Sequence, residues 1–197
     1  MDTIRTFIAV EIPVEVRALL ADKQDELQHA MGAARRAVRW SRSDGMHLTL
    51  QFLGDVPLNA PTTILEAVRA GCRGISAITL GVGNVGAFPT LERPRVLWLG
   101  LEGDTDRLQM LQAKIARLLS GLGYKPDKPF QPHITLGRIR EGATRDELAT
   151  ISNALVSASK WPPVQATFTA NQVSLMKSDL LPGGAVYTCL GVEELDS

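Results

Sequence analysis

Two of the three histidines in this chain sit in the same tripeptide pattern, His47-Leu-Thr49 and His133-Ile-Thr135. With 14 threonines among 197 residues, a given histidine has about a 7% chance of Thr two positions on, and two hits among three about 1.5%. On a strand, residues two apart share a face, so each motif projects an imidazole and a hydroxyl together, with Leu48 and Leu50, or Ile134 and Leu136, behind them. An imidazole with an ordinary pKa of about 6.5 exchanges protons near neutrality. Two of them on opposite sides of one phosphorus suit in-line displacement: one deprotonates water, the other protonates the departing oxygen. The threonine hydroxyls can donate to the non-bridging phosphoryl oxygens. A lone His-x-Thr is usually a half-buried histidine beside a β-favouring threonine; the pair is what argues for chemistry. The arrangement calls for no metal and no cofactor. The third histidine, His29, falls on a helix outside both motifs, and ligand-spaced Cys or Asp clusters are missing. Two near-identical motifs do not say which histidine is the acid and which the base.

The elements that must position these residues are legible in outline. Thr6–Val10 reads as a buried strand ended by Pro13, and Val14 to Met31 has helical spacing stopped by Gly32. Val38–Trp40 is a short strand, Ser41–Gly45 a polar turn, and His47–Leu53 an alternating strand ending at Gly54. Pro61–Cys72 follows as a helix with its proline near the first turn. Ala77–Val82 and Val96–Leu101 read as strands joined by a loop containing Gly83, Gly86, Pro89 and Pro94. Thr105–Ser120 is an amphipathic helix with Asp104 as N-cap and Gly121 as stop. Phe130–Ile139 carries the second motif strand, and Thr144-x-x-Glu147 is a capping box opening a helix to about Ser159. Gln165–Met176 and Ala185–Leu190 are strands around a turn with Pro182, Gly183 and Gly184.

The motif histidines lie 86 residues apart, as do the helix openings near Ala60 and Asp146. Downstream, Val85 corresponds to Val173 and Val96 to Val186. One β-α-β-α-β-β unit is thus used twice, as approximate repeats 5–101 and 102–191 within one bilobal domain spanning 1–197. The expected architecture is α+β: two pseudo-symmetric lobes, each a mainly antiparallel sheet with helices packed outside, meeting at a central cleft.

Composition narrows the partners. Lys and Arg total 21 and match Asp and Glu at 21, so a broad basic surface for wrapping long nucleic acid is absent. A small anion or one RNA end held by a local cluster fits. The arginines 35, 36, 39 and 42 read either as a solubilising surface or as an approach for RNA phosphates. Cys72 and Cys189, far apart and without a CxxC, read as buried free thiols of a reducing compartment. The N-terminal apolar run is too short for a signal segment, and no stretch approaches the ~20 apolar residues of a membrane span. A cytoplasmic monomer with no membrane partner is expected.

Beyond the two motifs, five blocks in order resemble the two-histidine phosphoesterases, and within them the RNA 2′,3′-cyclic phosphodiesterases, also described as 2′-5′ RNA ligase-like proteins. These blocks are RTFIAVEIP at Arg5–Pro13, Trp40 with MHLTLQFLGDV at Met46–Val56, VGAFPTLERPRVLWLGL at Val85–Leu101, PFQPHITLGRIR at Pro129–Arg140 and SDLLPGGAVYTCL at Ser178–Leu190. The resemblance implies His47 as proton donor to the leaving oxygen and His133 as proton acceptor from water, with Thr49 and Thr135 on the substrate. The implied reaction opens a terminal 2′,3′-cyclic phosphate on an RNA 3′ end, or on a cyclic nucleotide, to a 2′-phosphate. Two other readings stand beside it: a 2′-5′ RNA ligase that joins RNA ends, and a non-catalytic RNA- or nucleotide-binding module.

The residue five positions after each motif histidine is Phe52 in one case and Arg138 in the other. The resemblance implies that the ring stacks on the terminal base and the guanidinium meets the phosphate. Strand parity objects, because an odd offset faces away from the histidine. The strand must therefore end, twist or bulge first. Gly137 makes this easy for Arg138, whereas Gly54 comes too late for Phe52, which is as well suited to the core.

Overall fold

The computed structural model describes residues 2–181 and 184–196. Among these, nine strands and four α-helices follow in the order β1 (Thr3–Glu11), α1 (Val14–Met31), β2 (Val38–Trp40), β3 (His47–Pro57), α2 (Pro61–Cys72), β4 (Ile78–Pro89), β5 (Pro94–Gly103), α3 (Thr105–Gly121), β6 (Ile134–Ile139), α4 (Arg145–Ala158), β7 (Thr167–Ala170), β8 (Gln172–Leu181) and β9 (Gly184–Glu194). All nine strands join one curled sheet in the order β7-β4-β5-β6-β3-β1-β8-β9, with β2 beside β6. Every pairing between these strands is antiparallel.

The helices all pack on one face. Leu20 and Leu27 of α1, Ile64 and Val68 of α2, Leu111 and Ile115 of α3, and Ile151 and Leu155 of α4 share one core with Ile8, Val10, Leu48, Leu50, Ile134 and Leu136. Each such fully buried aliphatic side chain contributes about 1.5–3 kcal/mol. A slip of one residue would turn those leucines outward, so the buried face fixes which way the motif residues point. The opposite face holds a small buried apolar group, Phe7, Ala9 and Met176, with Tyr187 against it.

From the centre outward the sheet reads β3, β1, β8, β9 on one side and β6, β5, β4, β7 on the other. The halves touch at the single pair Leu48↔Ile134, the residue after each motif histidine. The two lobes are thus halves of one sheet, and each half draws on both halves of the sequence. Strands β8 and β9 complete the side of β1 and β3, while β4 and β5 complete the side of β6. Strand β5 therefore occupies the place that β1 has in the other half, not the place of β9 that the pairing of Val96 with Val186 implied.

Four local expectations need correction. Strands β4 and β5 run through the expected loop and leave only Thr90–Arg93 between them. Gly86 belongs in the strand because the Trp98 ring lies across it, where a Cβ would collide. The expected strand Gln165–Met176 is two: β7 pairs with β4 and β8 with β1, at opposite ends of the sheet. Asp104 makes no side-chain cap on α3; its carboxylate instead accepts from the Thr79 N–H at 3.3 Å. Cys189 is exposed, unlike the buried Cys72, whose thiol burial pushes up to about 11. The capping box of Thr144 and Glu147 forms in both directions. In the expected final turn, Pro182 and Gly183 lie outside the described residues.

Candidate active site

Each motif strand carries one extra residue at the same place. Between β1 and β3, Ala9 faces Thr49 and Ile8 faces Gln51, leaving Leu50 without an opposite number. Between β5 and β6, Trp98 faces Thr135 and Leu97 faces Gly137, leaving Leu136 over. A bulge three residues after each histidine thus shifts the parity of the residues that follow, up to a second irregularity in β3 at Leu53, beyond Phe52. Phe52 and Arg138 consequently emerge on the same face as the histidines and threonines. Phe52 is 54% exposed, so its ring is not part of the core. The bulge in β3 forms without a glycine. Gly137 serves a different need, since a Cβ there would stand 2.7 Å from Val38 Cγ1 on β2.

Buried glutamines hold both bulges. Gln24 of α1 donates from Nε2 to the carbonyls of Leu136, at 2.8 Å, and Ser41, at 3.0 Å. Gln112 of α3 reaches the carbonyl of Leu50 at 3.4 Å. The Leu136 carbonyl also accepts from the Ser41 N–H at 2.8 Å, so each bulge carbonyl receives a glutamine from the helical side, and that of Leu136 a backbone donor as well.

The antiparallel pair Leu48↔Ile134 sets His47 beside Thr135 and Thr49 beside His133, on the face turned away from the helices. His47 Nδ1 lies 2.8 Å from the Gly45 carbonyl, and His133 Nδ1 lies 2.6 Å from the Gln131 carbonyl. A carbonyl only accepts, so each Nδ1 carries a proton and each neutral ring keeps its Nε2 lone pair free. The two residues preceding each histidine therefore fix its tautomer. His133 itself stands just before β6, one residue outside the strand that the sequence began at that histidine.

Aromatic rings steady both imidazoles. Phe7 stacks on His47 with centroids 4.7 Å apart, and Tyr187 meets the same ring edge-on at 4.9 Å. Phe88 packs edge-on against His133 at 4.9 Å, with Trp98 at 6.3 Å. Phe7 also touches Phe52 at 5.9 Å, so Phe52, Phe7 and His47 form a continuous ring surface.

Burial lowers the proton affinity of both histidines. The backbone carbonyls of Gly45 and Gln131 work the other way at both rings, and the charge of His133 adds to the lowering at His47; the nearest side-chain charges of other types differ in sign. Glu11, opposite His47 across β1 and β3, favours its protonated form, whereas Arg138 disfavours that form at His133. Ser174 Oγ donates to Glu11 at 2.7 Å and holds the carboxylate in place. The Arg138 guanidinium is itself partly desolvated, which works against its charge; Tyr187 favours that charge and Arg39 opposes it. Burial raises the Tyr187 hydroxyl pKa against the combined pull of Arg138, Arg39 and Arg5.

The structure thus brings His47, Thr49, Phe52, His133, Thr135 and Arg138 to one open face. His29 is exposed on α1, its Nδ1 donating locally to the Asp25 carbonyl, 2.8 Å away. Sequence reasoning passed over Glu11, Tyr187 and the two glutamines. Glu11 had one readable signal, a carboxylate closing an otherwise apolar strand. No group of three or more His, Cys, Asp or Glu side chains is placed to hold a metal ion among the described residues. Nor is any helix among them long and apolar enough to cross a membrane.

Comparison with known proteins identifies the family and the fold. A family model described as the 2′-5′ RNA ligase superfamily matches residues 20–180. A protein of Thermotoga maritima named RNA 2′,3′-cyclic phosphodiesterase is 32% identical over 187 residues, covering 94% of this chain and 92% of its own. One of Methanothermobacter thermautotrophicus with the same name is 29% identical over 192 residues, covering 98% and 99%. The crystal structure of TT0787 of Thermus thermophilus superposes with a TM-score of 0.74 at 29% identity, covering 97% of both chains. With the model spanning both His-x-Thr strands and both bulges, this chain belongs to the 2′-5′ RNA ligase superfamily.

Proposed function

We propose that this protein hydrolyses terminal 2′,3′-cyclic phosphates of RNA to 2′-phosphates, without a metal, using His47 as general acid and His133 as general base. The observation that carries this reading is the pair of Nδ1-anchored imidazoles on either side of the Leu48–Ile134 contact, each with its Nε2 free. In the reaction, the Nε2 of neutral His133 takes a proton from water as its oxygen attacks phosphorus. The bond from phosphorus to O3′ breaks, and protonated His47 delivers its Nε2 proton to O3′, leaving the phosphate on O2′. Glu11 supports this division of roles by favouring a charged His47, and Arg138 by favouring a neutral His133. The Thr49 and Thr135 hydroxyls and the Arg138 guanidinium donate to the non-bridging oxygens, where charge gathers in the transition state. The names of the Thermotoga and Methanothermobacter relatives point to the same reaction.

The test is turnover of adenosine 2′,3′-cyclic phosphate in EDTA, with the product identified by phosphorus NMR. Adenosine 2′-phosphate formed at an undiminished rate supports the reading. Loss of activity on chelation, restored by a divalent ion, counts against it, and binding without turnover favours a binding module instead.

A further inference from the structure

Arg39 on β2 stands directly opposite Arg138 on β6. Opposite residues of an antiparallel pair point to the same face, and like charges placed so destabilise the pairing. No carboxylate lies within ion-pair distance of either guanidinium among the described residues. Of the other named cations of that segment, Arg42 pairs with Asp44, Arg35 reaches the Gly32 carbonyl, and Arg36 lies outside the β2–β6 pairing. The face that Arg39 and Arg138 share is the one that carries the histidines, since the bulge at Leu136 turned it that way. Tyr187, edge-on to His47, lies within the fields of Arg138, Arg39 and Arg5 together. A like-charged pair left without counter-ions beside a phosphate site is an arrangement that a second anion would relieve.

We propose that Arg39 holds the phosphodiester 5′ to the terminal nucleotide, so that the preferred substrate is an oligonucleotide end and not a mononucleotide. The inference rests on the cyclic phosphate occupying the histidine site. Arg138 then meets the reacting phosphate, and Arg39, one strand over, meets the next phosphate along the chain. Arg5, also exposed, adds to the positive field on that side. Neutral overall charge is consistent with a contact limited to one or two phosphates.

The experiment compares kcat/KM for adenosine 2′,3′-cyclic phosphate with that for the dinucleotide ApA bearing the same cyclic end. The wild-type protein should prefer the dinucleotide by about tenfold, the worth of one charge-assisted contact. In Arg39→Ala that ratio should fall to near one, in Arg39→Lys it should be partly retained, and in Arg36→Ala it should be unchanged. The dinucleotide rate should also lose salt dependence in Arg39→Ala, by about 0.7 in the log–log slope. A ratio that survives Arg39→Ala overturns the subsite. If neither substrate turns over, the proposed reaction fails, and equilibrium binding of the two 2′-phosphate products still decides Arg39: equal loss of both, or of neither, overturns its role.

Discussion

Gln24 of α1 donates its side-chain amide to the carbonyl of Leu136, 112 residues further on and 2.8 Å away. That bond fastens the bulge which turns Arg138 toward the histidines, so a helix residue with no access to substrate governs which way an arginine points. Gln24→Met would leave the Ser41 carbonyl without this donor and the Leu136 carbonyl with only the Ser41 N–H, at about 1 kcal/mol, lowering Tm by about 2–4 °C. It should also lower kcat/KM in the wild-type background and add little in an Arg138→Ala background. Equal effects in the two backgrounds would reduce Gln24 to a stabilising residue, as a double-mutant cycle would read directly.

His47→Ala and His133→Ala should each lower kcat by about 10²–10⁴-fold, since each removes a separate proton transfer. Both variants should keep the wild-type circular dichroism, and His29→Ala should keep the wild-type rate. Near-normal turnover by His47→Ala would remove the acid from the scheme.

Arg138→Ala should lower kcat/KM on every cyclic phosphodiester, and Lys should restore little because it lacks the planar fork. Phe52→Ala should raise KM about tenfold for substrates with a base, the worth of one stacking contact, and spare a base-free cyclic diester. Its exposure predicts almost no change in Tm. A destabilised Phe52→Ala with unchanged substrate preference would contradict the stacking role.

Acid should affect stability and rate through the same two rings. Both histidines hold their protons less tightly folded than unfolded. The unfolded chain therefore binds more protons below the ordinary imidazole value, and stability, full above about 6.5, declines as pH falls toward the folded values. The productive form has one ring charged and one neutral, so kcat/KM should be bell-shaped with its maximum below about 6.5. A bound phosphate anion raises both proton affinities, and the kcat profile should lie to the alkaline side of the kcat/KM profile. Coincident profiles would argue that no anion sits between the rings.

Val14–Met31, Val38–Trp40 and Pro61–Cys72 match the observed elements residue for residue, whereas β3 runs on through the expected stop at Gly54 to Pro57 and β4 through Gly83 and Gly86. The shared face of His47 and Thr49, and of His133 and Thr135, follows from period two alone. What period two cannot reveal is a bulge, because an extra residue is a property of the partner strand's register. Leu50 and Leu136 are ordinary buried leucines whose clue was the parity conflict at Phe52 and Arg138. The division of β7 from β8 was hidden for a similar reason, since Asn171 alone separates two strands at opposite ends of the sheet. Pairing partners, and the glutamines that reach them from another element, belong to tertiary structure.

The interleaved sheet also imposes an order on synthesis. Strands β4, β5, β6 and β7 are complete once residue 170 has emerged, so the side that positions His133 can form during translation. The side that positions His47 must wait for β8 and β9, and with them Ser174 behind Glu11 and Tyr187 against the ring. A chain that stops short of that hairpin would have His133 housed and His47 exposed. Catalytic competence is therefore withheld until the last strands dock.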